Sequence, residues 1–109
     1  MARDDGGRVH HGVARIDLHL PGIDSLKGKR ALVKATLARL QTDLGCAVAE
    51  VGFQDRWQRA AIGVSTVSGT ATGVDRVLDR VTAVVERDPR VEVIAVTDTV
   101  DVLDTDHPR

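Results

Sequence analysis

Apolar residues along this chain recur at two alternating periods, every second position and then every third or fourth, and the order in which these periods follow one another limits the fold more than any motif does. Over residues 12–20, Ala14, Ile16, Leu18 and Leu20 fall on one side and Val13, Arg15, Asp17 and His19 on the other, which is the pattern of a half-buried strand. Pro21 and Gly22 stop it. Asp24 or Ser25 is then placed to cap a helix by accepting a hydrogen bond from an unpaired backbone N–H. Leu26, Val33, Leu37, Leu40 and Leu44 paint one stripe on a helix of about five turns, and Gly45 supplies its C-terminal cap.

Residues 46–53 read as a second strand, with Ala47, Ala49, Val51 and Phe53 on one face. A polar connection over residues 54–58 leads to a third strand over 59–67, where Ile62 and Val64 share a face, and strands joined this closely pair antiparallel. Residues 68–72 turn and cap a second helix striped by Val74, Val77, Leu78, Val81, Val84 and Val85, which the break at Pro89 closes. The final run, 91–103, slips phase: Val91 and Val93 share one parity, Ile94, Val96, Val100 and Val102 the other, as a bulge or two covered faces produce. The order predicts an α+β domain of the ferredoxin-like βαββαβ kind, two helices on one face of a four-stranded antiparallel sheet with right-handed crossovers. That domain is expected over residues 9–103, with flexible tails at 1–8 and 104–109.

At 109 residues the chain has the size of one domain. Phe53 and Trp57 are its only aromatic residues, so Val, Leu, Ile and Ala must fill the core. Fifteen basic against sixteen acidic residues give a net charge of −1, which removes any global pull toward nucleic acid or anionic membrane, so such binding needs a local patch. The single cysteine, Cys46, lies in an apolar run and has no internal disulfide partner; a buried thiol in a reducing cytoplasm fits it. The start of the chain has no apolar leader and no stretch approaches the ~18 apolar residues of a membrane span, so a cytoplasmic protein that does not enter the membrane is expected.

Three clusters carry the candidate chemistry. Lys27, Lys29, Arg30 and, one turn on, Lys34 stack cations where a helix N-terminus already has partial positive charge and free N–H groups, a phosphate-binding patch in the making; a solvated charged face near Asp24 explains the same residues. Gln54, Asp55, Arg56, Trp57, Gln58 and Arg59 surround the one tryptophan in a loop between two strands. There Trp57 is placed to stack on a base with Arg59 beside it for phosphate, unless Trp57 folds back on the core while Asp55 pairs with Arg56 or Arg59. The sheet face opposite the helices is expected to show Arg15, Asp17, His19, Glu50, Arg59, Ala61, Gly63, Ser65, Glu92, Ile94 and Val96. Its small central residues permit close approach of a second copy or a partner, although cross-strand ion pairs explain most of the same positions.

His10, His11 and His19 do not make a metal site, because His10 and His11 lie at the edge of the tail and Cys46 is far along the chain. No P-loop, GxSxG, CxxC or HExxH is present, and no cofactor is expected. Gly7, Val9, Gly12, Val13 and Arg15 superficially resemble the acylphosphatase phosphate loop, but the spacing around Gly12 and Val13 is wrong and the chain contains no asparagine. Acid–base work by Asp55, His19 and Glu50 requires a cleft that gathers them.

Through His19-Leu20-Pro21, Ser25-Leu26-Lys27-Gly28-Lys29-Arg30, Ala49-Glu50-Val51 and Gln54-Asp55-Arg56-Trp57-Gln58-Arg59-Ala60, the chain resembles the YlxP-like bacterial family, a family of unknown function with a ferredoxin-like fold. The resemblance covers residues 9–103, nearly the whole domain. It implies no established activity. Genes of that family commonly stand beside those for translation initiation factor two and ribosome-binding factor A, which implies by association a role in translation or ribosome maturation. The longer N-terminal tail and the acidic, β-branched stretch 97–104 depart from the family. The reading that follows is a non-enzymatic factor associated with rRNA or a ribosomal subunit, with a homodimeric small-ligand or protein-interaction module as the alternative.

Overall fold

The computed structural model describes residues 6–104, and its elements follow in the order β1 (His10–His19), α1 (Leu26–Leu44), β2 (Ala47–Gly52), β3 (Arg59–Ser68), α2 (Ala71–Val85) and β4 (Glu92–Val102). The strands lie side by side as β2-β3-β1-β4, each antiparallel to its neighbour, so the fold is ferredoxin-like, and β2 and β4 are its edges. The expected tails fall for the most part outside the described residues. His10 and His11 belong to β1, paired with Ser68 and Val67 of β3, rather than to a tail's edge.

Each helix starts where a hydroxyl meets an orphan N–H. Ser25 Oγ accepts from Gly28 N at 3.0 Å and Thr70 Oγ1 from Gly73 N at 3.0 Å. Gly45 closes α1 at φ 64°, a left-handed turn that only glycine enters without strain. Ala14, Ile16, Leu18 and Leu20 of β1 and its extension, Ala60, Ile62 and Val64 of β3, and Val81, Val84 and Val85 of α2 form the core with Leu32, Val33 and Leu40 of α1. Cys46 lies in the same core, and burial raises the pKa of its thiol. At the turn into β4, Arg90 holds the Asp88 carboxylate through its guanidinium and backbone N–H, and lowers the carboxyl pKa to about 2.

Two faces differ from the sequence reading. In β2, Val48 packs on the core and Glu50, two residues on, shares its side, while Ala47, Ala49 and Val51 stand exposed on the open face. Glu50 is therefore not an open-face residue. Alternation states which residues share a face, but not which face is covered, and on an edge strand of alanines and valines the two phases look alike. In β4 the phase slip is a bulge: Asp17 pairs with Ala95 and Leu18 with Val93, which leaves Ile94 without an opposite. Past it, Val96 lies across from the core residue Ile16 and so shares the helix side, not the open face.

Candidate functional site

The cationic start of α1 does not stand free as a unit. Lys29 falls three residues after Leu26 and four before Val33, on the apolar stripe, and it is 1% exposed. Its Nζ donates to the carbonyl oxygen of Phe53 and lies 3.2 Å from Glu50 Oε2. An internal carboxylate thus already balances Lys29, which corrects its placement in a surface patch. Lys27, Arg30 and Lys34 are exposed. Arg30 and Lys34 line a groove between α1 and the edge strand β2, together with Val33, Leu37, Val48 and Glu50.

What Lys29 holds is the loop between β2 and β3. Phe53 adopts φ 60°, a left-handed conformation that is strained for a residue with a Cβ. Its carbonyl oxygen accepts from Lys29 Nζ and from Arg56 N at 3.0 Å, which occupies both lone pairs and fixes the turn. Gln54 donates from Nε2 to Glu50 O at 3.3 Å. At the far end, Gln58 O accepts from Leu20 N at 2.9 Å, and Gln58 Nε2 donates to Pro21 O at 3.3 Å and Ile23 O at 3.2 Å. The loop is therefore pinned at both ends against the entry to α1.

Between those pins the side chains project outward. Trp57 is 50% exposed rather than folded onto the core, and with His19, Arg56, Gln58 and Arg59 it lines a recess of about 460 Å³. Asp55, at the tip, makes no ion pair with Arg56 or Arg59. The guanidinium of Arg59 instead lies 4.5 Å from the centre of the Phe53 ring, and that of Arg15 lies 5.9 Å from it. Arg15 is also 3.2 Å from Asp17 and His19 Nδ1 is 3.1 Å from Glu92, but no carboxylate meets Arg59, whose buried Nε has no hydrogen-bond partner among the described residues. A ring platform carrying an uncompensated guanidinium, beside a half-open indole, favours a planar anionic ligand.

The rest of the open face carries small and apolar residues interspersed with polar ones. The strand registers place Val13, Ser65 and Ala47 in one row and Arg15, Gly63 and Ala49 in the next. Val51 lies over Gly63, whose missing side chain leaves room for it. The structure thus puts Arg15, Asp17, His19 and Ser65 on this face and removes Glu50 from it. Asp55, His19 and Glu50 are not gathered into a cleft, since Glu50 answers Lys29 beneath the sheet while His19 answers Glu92 above it. Among the described residues no cluster of three or more His, Cys, Asp or Glu suits a metal, and no helix is long and apolar enough to cross a membrane.

Phe53 escaped the sequence reading as a platform, as did the groove along β2. The Phe53 role depends on a left-handed turn that no residue type announces, whereas the burial of Lys29 was signalled by its position on the stripe.

Known proteins are similar to this chain in sequence or in structure. The chain is 35% identical over 81 residues to the uncharacterized protein YlxP of Bacillus subtilis (strain 168), covering 74% of this chain and 88% of that protein. Among solved structures it is similar to a dimeric ferredoxin-like protein from an uncultured marine organism, at a TM-score of 0.49 and 12% identity over 97% of this chain and 96% of that one. It is also similar to the de novo designed protein Foldit4, at a TM-score of 0.48 and 17% identity over 84% of this chain and 96% of that one. The model of a family described as "Protein of unknown function (DUF503)" matches residues 11–98. That segment holds the buried Lys29, the loop it pins and the recess around Trp57, and the chain belongs to the DUF503 family, YlxP-like and without an assigned function.

Proposed function

We propose that this chain is a non-enzymatic RNA-binding factor, acting on rRNA or a ribosomal subunit in translation or ribosome maturation, and that it stacks an unpaired base on Trp57. The observation that carries this is the recess: a half-exposed indole on a loop pinned at both ends, lined by Arg56, Gln58, Arg59 and His19. Pinning lowers the ordering cost of binding, stacking tolerates any base, and the uncompensated Arg59 suits a neighbouring phosphate. The near-zero net charge is no obstacle, because the cations that matter are local. Arg30 and Lys34 line a different groove, with no residue in common with the recess.

Trp57 is the chain's only tryptophan, so its fluorescence reports the site directly. Titration with short single-stranded RNA is expected to quench it, with an affinity that falls as salt rises. Replacing Trp57 by Ala is expected to cost about 1–3 kcal/mol per stacked base, read by filter binding. The absence of both quenching and salt-sensitive binding at low ionic strength would overturn the reading.

A second reading rests on its own observation. Val13, Val51, Val67 and Ile94 are between 51% and 70% exposed. Val13, Val51 and Val67 stand on the open face, so this face is also suited to bury itself against a second copy as a homodimeric interaction module.

A further inference from the structure

The two edges of the sheet are unfinished in complementary ways. Along β2, the backbone is paired with β3 on one side only, and beyond its free edge runs the groove of about 380 Å³ that α1 overhangs. Its floor carries Val33, Leu37 and Val48 together with Glu50, whose carboxylate Lys29 already balances, and its outer wall carries Arg30 and Lys34, neither of which has an ion-pair partner among the described residues. Along β4 the converse holds. Val96 and Val100 lie on the helix side, opposite Ile16 and Gly12, yet remain 43% and 41% exposed. Between them on that side is Asp98, opposite Ala14, and it too has no ion-pair partner.

Strand direction permits the two to join. Each strand is antiparallel to its neighbour across β2-β3-β1-β4, so β4 runs opposite to β2. A second copy in the same orientation would continue the sheet antiparallel, with its β4 valines and aspartate facing the groove side. The six residues of β2 offer an edge of about 20 Å for main-chain hydrogen bonds.

We propose that the outer edge of β2 takes the outer edge of β4 from a second copy of this chain, with Asp98 seated by Arg30 and Lys34 while Val96 and Val100 cover Leu37 and Val48. The contact is heterologous: each copy uses two different edges, so assembly continues until a ring closes or the concentration limits it. It uses none of the residues of the Trp57 recess and is separate from a face-to-face dimer of the open sheet.

Charge reversal tests it. One variant carries Arg30→Glu with Lys34→Glu, which spoils the groove; another carries Asp98→Arg, which spoils the strand. All three positions are exposed, and unchanged thermal unfolding by circular dichroism establishes that both variants fold. Affinity-tagged and untagged copies are then mixed and captured. Wild type is expected to capture wild type, each variant is expected to capture itself about tenfold less, and the groove variant mixed with the strand variant is expected to pair. In that mixture the intact groove takes the intact strand and the reversed groove meets the reversed strand with complementary charge, so sedimentation shows mixed complexes that grow with concentration as wild type does, while each variant alone stays small. Equal capture in every combination, which a face-to-face dimer produces, overturns the proposal, as does wild type that captures no wild type.

Discussion

Lys29 is where the composition of the chain misleads most and its spacing informs most. Taken with Lys27 and Arg30 it belongs to a basic cluster; taken with Leu26 and Val33 it belongs to the buried stripe, and the structure takes the second option by giving it Glu50 and the Phe53 carbonyl. A buried ammonium is tolerable only while both partners remain. Lys29→Met keeps the length of the side chain but leaves Glu50 facing the core, and is expected to destabilise the fold by about 2–4 kcal/mol in urea unfolding, below the upper range because Glu50 is partly solvated. Lys29→Met combined with Glu50→Leu is expected to regain much of that loss, since an apolar pair of similar volume replaces the ion pair. The regained stability should not regain the loop: Phe53 has lost the donor that stabilised its left-handed turn, so the Trp57 emission stays altered in the double variant. A neutral Lys29→Met in the urea titration would show that the pair holds nothing together.

At the scale of elements, the helices were the most legible part of the sequence. Leu26–Leu44 and Ala71–Val85 each combine a hydroxyl cap with a 3.6-residue stripe, and α1 ends at the glycine placed to end it, so local chemistry and tertiary burial agree. The strands were legible as strands, but the facing of β2 was not, because an edge strand of small residues carries no apolar contrast and the deciding partner, Lys29, comes from another element. The candidate site was half legible: the loop from Gln54 to Arg59 stood out by its polarity, while its platform, Phe53, and the anchor of its turn required the fold. Close packing of β1 on α2 was hidden too. A Cβ built at Gly12 would lie 2.6 Å from Val74 Cγ1 and 2.8 Å from Leu78 Cδ1, and Val74 is fully buried and β-branched, with little freedom to retreat. Gly12→Ala is therefore expected to force α2 outward and to lower stability by about 1–3 kcal/mol, measured by thermal unfolding. An unchanged melting temperature would mean that α2 shifts at no cost.

For the molecule as a whole, the centre of the helix-covered side of the sheet is closed and the open side is not. Ala14, Ile16, Leu18, Ile62 and Val64 are enclosed by the helices, whereas on the opposite side Val13 and Val67 remain mostly exposed beside Ala47, Ala49 and Gly63, where nothing bulky prevents a second flat surface from approaching. A sheet of this kind has two ways to hide the valines, by twisting over them or by pairing face to face, and strand registers that place Val13 in a row with Ser65 and Ala47 leave no large neighbour to fold over it. Pairing through a two-fold axis brings each valine against the same patch of the partner, so a pair of lysines introduced there is met twice, as like charge against like charge. Val13→Lys with Val67→Lys is accordingly expected to convert a face-to-face dimer into single copies in sedimentation velocity while leaving thermal unfolding nearly unchanged, because both positions lie outside the core. The Trp57 recess sits at the other end of β1 and β3, by His19 and Arg59, so RNA quenching should survive the double substitution. Charge reversal at Lys34 or Asp98 should leave this dimer intact, which separates face pairing from edge pairing in one set of proteins. If the wild-type chain sediments as a single copy at its highest soluble concentration, the open face has no second copy to bind.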